Sequence, residues 1–459
     1  MRFEGGRLLR KYFGTDGIRR IANLELTPDL VFRVAKAGAY VLTKHSNHVP
    51  TILIGRDTRI SGTLIESAMT AGFLSYGANV KLLGVMPTPA VAYLTKKLNA
   101  DASVVISASH NTFEFNGVKY FSNKGMKISD EIEEEIEEII DSEKLSTLMA
   151  VGDKIGVAEE TSDYVKEYIQ FFKDVFGDEL KGGRLKVAID GANGATYEVA
   201  QKVFSELGID FEMIHHEPNG VNINQNCGST CLETISSYVK ENNLDLGIAY
   251  DGDGDRCLAV DENGDVMDGD IIMAILAEYL RSQNKLKQNS LVVTVMSNLG
   301  LKKYAEKNDI QMITTKVGDR YVLEEMLKNG YNLGGEQSGH VIMLDYNPTG
   351  DGILTSLMLI RAILAKKKKA SEMRKIVNIY PQVLINSKVS NDKKYDYECD
   401  NEIREHIEKL EKEFSGNGRV LIRPSGTEPK VRVMIEGENQ EYITKKAQEL
   451  ADLIEQKLQ

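Results

Sequence analysis

The stretch Leu246-Gly-Ile-Ala-Tyr-Asp-Gly-Asp-Gly-Asp-Arg256 drives an apolar, strand-like run straight into three carboxylates separated by glycines. In extended chain, Asp251, Asp253 and Asp255 at i, i+2 and i+4 project to one side. The intervening glycines let the backbone curl around an ion. Three carboxylates so close repel one another unless a cation lies among them. Hard oxygen ligands, little other protein coordination and a nearby phosphate favour Mg²⁺. An EF-hand is the competing pattern, since Glu262 falls at the twelfth loop position. It fails because the sixth position is Arg256 instead of glycine, and strand-like runs flank the loop instead of helices.

The same grammar recurs outward from this stretch. Lys186-Val-Ala-Ile189 runs into Asp190-Gly-Ala-Asn-Gly194, and Leu291-Val-Val-Thr-Val295 into Met296-Ser-Asn298. Upstream, Thr51 to Ile54, Val80 to Leu83 and Ser103 to Ile106 read as strands. Helices are predicted from Thr27-Pro28 to about Lys44, from Ser61 to Gly77, from Thr88-Pro89, and over Ile128 to Ile140. Strand, polar turn, helix describes mostly parallel sheets covered by helices, with ligands at the carboxyl ends of the strands. After about Met373 the pattern changes. A strand over Val383 to Val389, a helix over Asn401 to Phe414, strands over Val420 to Arg423 and Val431 to Ile435, and a helix from Tyr442 predict a smaller α+β domain.

A chain of 459 residues suggests three or four domains. The net charge of -12 argues against a nucleic-acid partner, so an anionic substrate would need arginines gathered locally. Cys227, Cys231, Cys257 and Cys399 include no C-x-x-C pair, which argues against zinc and for reduced thiols. With no signal-peptide pattern and no run of about 18 apolar residues, the expectation is a cytoplasmic protein without a membrane span.

Three further loops carry chemistry. Ser109-His-Asn-Thr-Phe-Glu-Phe-Asn-Gly-Val-Lys119 ends a strand in a hydroxyl, an imidazole and an amide, with an amine ten positions on. That suits a nucleophile at a sheet edge, although a capped turn reads equally well from the string alone. Gly334-Gly-Glu-Gln-Ser-Gly-His340 offers Glu336 and Ser338 to sugar hydroxyls, and His340 for proton transfer. Arg423-Pro-Ser-Gly-Thr-Glu-Pro429 turns amides and the hydroxyls of Ser425 and Thr427 around Gly426, beside an arginine fork suited to phosphate. Arg19, Arg56, Arg59, Arg256, Arg320 and Arg432 are candidates to reinforce it.

These four loops, in this order, resemble the α-D-phosphohexomutase superfamily over essentially the whole chain. Phe13-Gly-Thr-Asp-Gly-Ile-Arg19, Asn222-Ile-Asn224, Cys227-Gly-Ser-Thr230, Gly318-Asp-Arg-Tyr-Val322 and Thr349-Gly-Asp-Gly352 add to the match, and Gln337 points to its glucosamine branch. The resemblance implies three related mixed-sheet α/β domains and a smaller C-terminal α+β domain around a central cleft. The expected bounds are 1–157, 158–258, 259–375 and 376–459. It implies a phosphoserine at Ser109, whose phosphate completes a Mg²⁺ shell of Asp251, Asp253 and Asp255. It implies Lys119 and His340 as acid and base, with Arg19 and His110 beside them. Glu336 and Ser338 would bind sugar. Arg423, Ser425, Gly426, Thr427, Arg432 and Arg256 would bind phosphate.

The implied reaction converts glucosamine 6-phosphate to glucosamine 1-phosphate through a 1,6-bisphosphate, which also serves as activator. Its product feeds UDP-N-acetylglucosamine and cell-wall synthesis. The implied partners are small hexosamine phosphates, with a homodimer admitted. The alternatives are phosphoglucomutase or phosphomannomutase activity, or a non-catalytic phosphosugar-binding protein. Arg20, Thr112, Phe115 and Cys231 depart from the family pattern, and Thr112 predicts a looser serine turn.

Overall fold

The computed structural model describes residues 3–4, 7–8, 11–14, 16–160, 163–181, 185–425 and 428–459. Two compact units emerge: Met1–Met296 with Gln311–Ile376, and Ser297–Ile310 with Val377–Gln459. No helix among the described residues is long and apolar enough to cross a membrane.

The first unit contains three sheets built to one plan. Each has a four-strand core in the spatial order second, first, third, fourth, with only the fourth antiparallel. In the first sheet these strands are Thr51–Arg56, Asn79–Val85, Ala102–Ile106 and Phe115–Ser122. In the second they are Lys186–Asp190, Asp210–Ile214, Leu246–Tyr250 and Cys257–Asp261. In the third they are Ser290–Thr294, Gln311–Thr315, Leu333–Gly335 and Val341–Met343. The turn from third to fourth strand carries the serine loop in the first sheet, the aspartate loop in the second and the Glu336–His340 loop in the third. One backbone device therefore delivers three different sets of side chains.

Strand Ile18–Ile21 adds to one edge of the first sheet, and Ala158–Glu160 to the other. Val266–Met267 extends the second. Short edge strands such as these carry little periodicity of their own.

Local chemistry explains most element boundaries. Thr27 caps helix Pro28–Thr43 by accepting from the Leu30 amide, and Gly77 ends helix Gly62–Tyr76 at φ 101°. These two helices pack closely at Gly72, where an added Cβ would stand 2.6 Å from Ala35 Cβ and from the Phe32 carbonyl oxygen. Of the acidic helix Asp130–Ile140, Ile136 and Ile140 are buried, as the spacing by four requires.

Two expected caps do other work. Ser61 makes no cap hydrogen bond and instead accepts from Asn116 Nδ2 at 2.9 Å. Thr88 lies within helix Thr88–Lys97, and its hydroxyl donates to Asp253 Oδ2 at 2.6 Å.

The second unit contains a three-stranded antiparallel sheet, ordered Gln382–Lys388, Lys430–Gly437, Gly418–Pro424. Helix Gln440–Leu458 packs on it through Ile443, Ala447, Leu450 and Ile454. The mixed α/β sheets and the smaller α+β portion match the architecture expected from sequence.

Candidate active site

Ser109 follows strand Ala102–Ile106 and adopts φ 51°, the left-handed region that serine rarely occupies. Something must hold it there, and Arg59 does. Wholly buried, Arg59 pairs with Asp57 at 2.8 Å. Its remaining donors reach the carbonyls of Ser109, Asn111, Thr112 and Phe115. Asn224 Nδ2 also donates to the Ser109 carbonyl at 2.9 Å. Thr112 is thus pinned by its backbone, so its departure from the family pattern does not leave the turn loose. Arg59 serves the loop's interior and has no donor left for a substrate phosphate.

The Ser109 hydroxyl donates to Asp251 Oδ2 at 2.7 Å. Gly252 permits this approach, since a Cβ there would lie 2.5 Å from the Ser109 carbonyl oxygen. Asp251, Asp253 and Asp255 are all buried, with one oxygen from each within 4.8 Å of the others. Burial and the neighbouring Asp255 and Asp253 charges push Asp251 well above the usual carboxylate range. Asp253 Oδ1 and Asp255 Oδ1 have no hydrogen-bond partner among the described residues. Buried, unsatisfied and mutually repelling oxygens are what a hard divalent cation would relieve, so this donor set fits Mg²⁺.

Lys119 does not sit in a loop. It lies in strand Phe115–Ser122 opposite Val105, which aims its buried amine across to the second sheet's turn. Nζ is 2.9 Å from Asp253 Oδ2, 3.1 Å from Asp16 Oδ2 and 3.7 Å from Asp255 Oδ2. Burial alone would depress this amine, but Asp16, Asp253 and Asp255 hold it well above its ordinary value.

A second lysine extends the network. Lys127 Nζ lies 2.6 Å from both Asp16 Oδ1 and Asp319 Oδ2. Asp319 Oδ2 in turn lies 3.3 Å from His340 Nε2, which is 3.9 Å from Asp255 Oδ2. Burial raises Asp16, yet Lys119, Lys127 and Arg19 keep it well below its normal range. His340 is buried, and neither ring nitrogen has a hydrogen-bond partner among the described residues. Ser109 and Lys119 from the first sheet and His340 from the third thus ring the carboxylates of the second.

The other expected residues fall around this centre. Arg19 donates to Asn111 Oδ1 at 3.2 Å and to Asp16 at 3.3 Å. His110 Nδ1 lies 3.3 Å from Ser109 Oγ, and burial with Arg256 and Arg19 nearby lowers His110 to about 4. Arg256 places its backbone amide on Asp251 at 3.2 Å, while its side-chain Nε has no hydrogen-bond partner among the described residues. Glu336 accepts from the Gly318 amide at 3.1 Å and from Ser338 Oγ at 3.5 Å. Gln337 donates to Asp268, the cap of helix Gly269–Ser282, and so anchors the loop. Arg56 pairs with Glu66, and Arg320 with Asp130 and Glu133.

In the second unit, Arg423 and Arg432 are direct cross-strand partners. Ser425 Oγ beside them accepts from the Glu428 amide at 3.3 Å. Gly426 and Thr427 lie outside the described residues.

Family models for phosphoglucomutase/phosphomannomutase match four successive segments: α/β/α domains I (residues 10–147), II (163–264) and III (268–380), and the C-terminal domain (384–453). A phosphoglucosamine mutase of Acetivibrio thermocellus is 54% identical over 450 residues, covering 98% of this chain and 99% of its own. One from Clostridium acetobutylicum is 54% identical over 449 residues, covering 97% and 99%. The chain belongs to the phosphoglucosamine mutase family.

Among solved structures, a phosphoglucomutase/phosphomannomutase family protein of Burkholderia thailandensis aligns with TM-score 0.78 at 21% identity, over 96% of this chain and 97% of its own. The Aspergillus fumigatus N-acetylphosphoglucosamine mutase, solved with GlcNAc-6P and magnesium, aligns with TM-score 0.71 at 18% identity, over 98% and 96%. At those identities the likeness concerns the fold.

In this phosphoglucosamine mutase relative, four working positions escape a motif-by-motif reading: Asp16, Thr88, Lys127 and Asp319. Asp16 and Asp319 do stand inside strings quoted for the resemblance, each beside one glycine. That two acids recur in such turns was the available signal. Thr88 and Lys127 carried none.

Proposed function

We propose that this chain interconverts glucosamine 6-phosphate and glucosamine 1-phosphate, with Ser109 as the phosphoryl carrier. The observation that carries the reading is the Ser109 hydroxyl, 2.7 Å from Asp251 within a buried three-carboxylate loop. Asp251, Asp253 and Asp255 would hold Mg²⁺ beside Ser109. Bound there, the ion neutralises charge on the transferring phosphoryl group.

The chain's own residues supply the rest. Phosphoryl transfer is chiefly positioning and charge neutralisation. Arg59 and Asn224 fix the Ser109 backbone, so Oγ meets the substrate without searching. In the forward half-reaction the P–Oγ bond breaks, a P–O bond forms at the sugar's 1-hydroxyl, and that hydroxyl's proton leaves to a base. His340, with free ring nitrogens and Asp319 to orient it, takes this proton. Lys119, kept as an ammonium by its three acids, stabilises the departing Ser109 oxygen. The resulting 1,6-bisphosphate turns around. As its 6-phosphoryl returns to Ser109 Oγ, the P–O6 bond breaks, the proton held by His340 passes to O6, and glucosamine 1-phosphate leaves. Glu336 and Ser338 bind sugar hydroxyls, and Arg256 with Arg19 meets phosphate oxygens. We assign phosphate binding also to Arg423, Ser425 and Arg432, with Gly426 and Thr427 between them. Sugar 1,6-bisphosphate from outside would charge an unphosphorylated Ser109.

The test compares turnover of glucosamine, glucose and mannose 6-phosphates. Glucosamine 6-phosphate is expected to give the highest kcat/KM. A preference for either neutral sugar would reassign the substrate while keeping the chemistry.

A further inference from the structure

We propose that Asp190, His215 and Cys227 form a second metal-binding site, suited to a borderline divalent cation of the Zn²⁺ or Co²⁺ type. Two connections at the carboxyl ends of strands in the second sheet supply the donors, Asp190 from one and His215 with Cys227 from the other. Asp190 ends strand Lys186–Asp190, His215 follows strand Asp210–Ile214, and Cys227 precedes the turn Gly228–Thr230. One ligand atom of each lies within 4.8 Å of the other two. His215 Nδ1 stands 3.0 Å from Asp190 Oδ2, near the edge of about 3.3 Å that nitrogen and oxygen ligands span on tetrahedral zinc.

The donors are held ready. Asp190 is wholly buried, and its two oxygens accept from the amides of Ala192 and Gly228, each at 2.9 Å. A carboxylate offers about four lone-pair positions, so these bonds orient the group and leave acceptor capacity. The Cys227 thiol is wholly buried and makes no hydrogen bond among the described residues. His215, whose side chain is 27% exposed, provides the way in and leaves room for water as fourth ligand. Sulfur and nitrogen donors sort the cations: a hard ion belongs to the three-aspartate loop, and a softer one here. Linear spacing could not reveal this site, because the three donors stand far apart in the chain and meet only when the sheet forms.

The site adjoins the serine loop's support. His215 O accepts from Asn193 N at 2.7 Å, and Ala192 O from Asn224 N at 2.9 Å. Asn224 in turn holds the Ser109 carbonyl, and the Ala195 amide donates to the Gly252 carbonyl at 2.8 Å. A cation tying Asp190, His215 and Cys227 together would stiffen the loops behind Ser109 and Gly252. The inference stands independently of which sugar phosphate the chain converts.

The test uses the full chain, stripped of metal and titrated with Co²⁺ in excess Mg²⁺. One equivalent should bind with a thiolate-to-cobalt charge-transfer absorption, a signature that the sulfur-free aspartate loop cannot produce. Cys227→Ser should abolish the band. His215→Gln, at a partly exposed position, should weaken Co²⁺ binding by about tenfold or more. Asp253→Asn should leave the band in place. No band at saturating Co²⁺, a band that survives Cys227→Ser, or binding indifferent to His215→Gln would overturn the assignment, leaving an ordinary Asp–His hydrogen bond beside a bystander thiol.

Discussion

The ammonium of Lys119 lies 2.9 Å from the Asp253 carboxylate, buried against the loop that also carries Asp251 and Asp255. A charge so placed acts on whatever anion approaches Ser109. Lys119→Met should lower kcat by about 10²- to 10⁴-fold, measured under saturating substrate. Loss confined to KM would mean that the amine merely binds.

Ser109→Ala removes the atom that bridges to Asp251. Mutase turnover should vanish while substrate binding, read by calorimetry, persists. In the parent chain, intact mass and peptide mapping should place a phosphate on Ser109. Undiminished turnover in the variant would defeat the covalent route.

Exhaustive chelation should abolish turnover and added Mg²⁺ should restore it. The orphaned oxygens of Asp253 and Asp255 predict a stability effect as well. Mg²⁺ should raise the melting temperature of the parent chain and do so much less in Asp253→Asn.

Arg59→Met would leave Asp57 buried without its partner and strip four carbonyls of a donor. The expected loss in unfolding free energy is about 3–5 kcal/mol, from urea titration. A change under 1 kcal/mol, on the order of an exposed ion pair, would show that the guanidinium is dispensable.

His110 supplies a pH test. Burial and the adjacent Arg256 and Arg19 lower it from 6.5 to about 4. A histidine depressed in the folded state binds its proton more readily when unfolded. Stability should therefore fall as pH drops from 6.5 toward 4, with the folded state favoured above that window. His110→Asn should flatten this slope in denaturant titrations taken across the window; an unchanged slope would assign it to other groups.

Much of this was legible in the sequence, for a physical reason. Leu246–Tyr250 and Asn401–Phe414 keep one period throughout, so their bounds agree with the sequence reading. The aspartate loop was readable because its spacing alone puts three like charges on one side. Phe115 to Lys119 was read as part of the serine loop, and only pairing with Ala102–Ile106 and Ile18–Ile21 makes it a strand. Thr88 was read as a cap because a Thr-Pro pair signals one. The nearby Asp253 takes its hydroxyl instead. Asp16, Lys127 and Asp319 gain meaning only when folding brings three chain segments within 3 Å, which no local pattern encodes.

The shared strand order of the first unit's three sheets has a consequence for how such a protein can change. Each copy exposes its business end at the same corner, so rewriting a handful of residues there leaves the surrounding framework untouched. Nucleophile, ion holder and proton acceptor occupy separate copies, tied to one another by a few contacts such as Lys119 on Asp253 and Asn224 on Ser109. Cut apart, each copy would lose its trade, because none holds all of the tools.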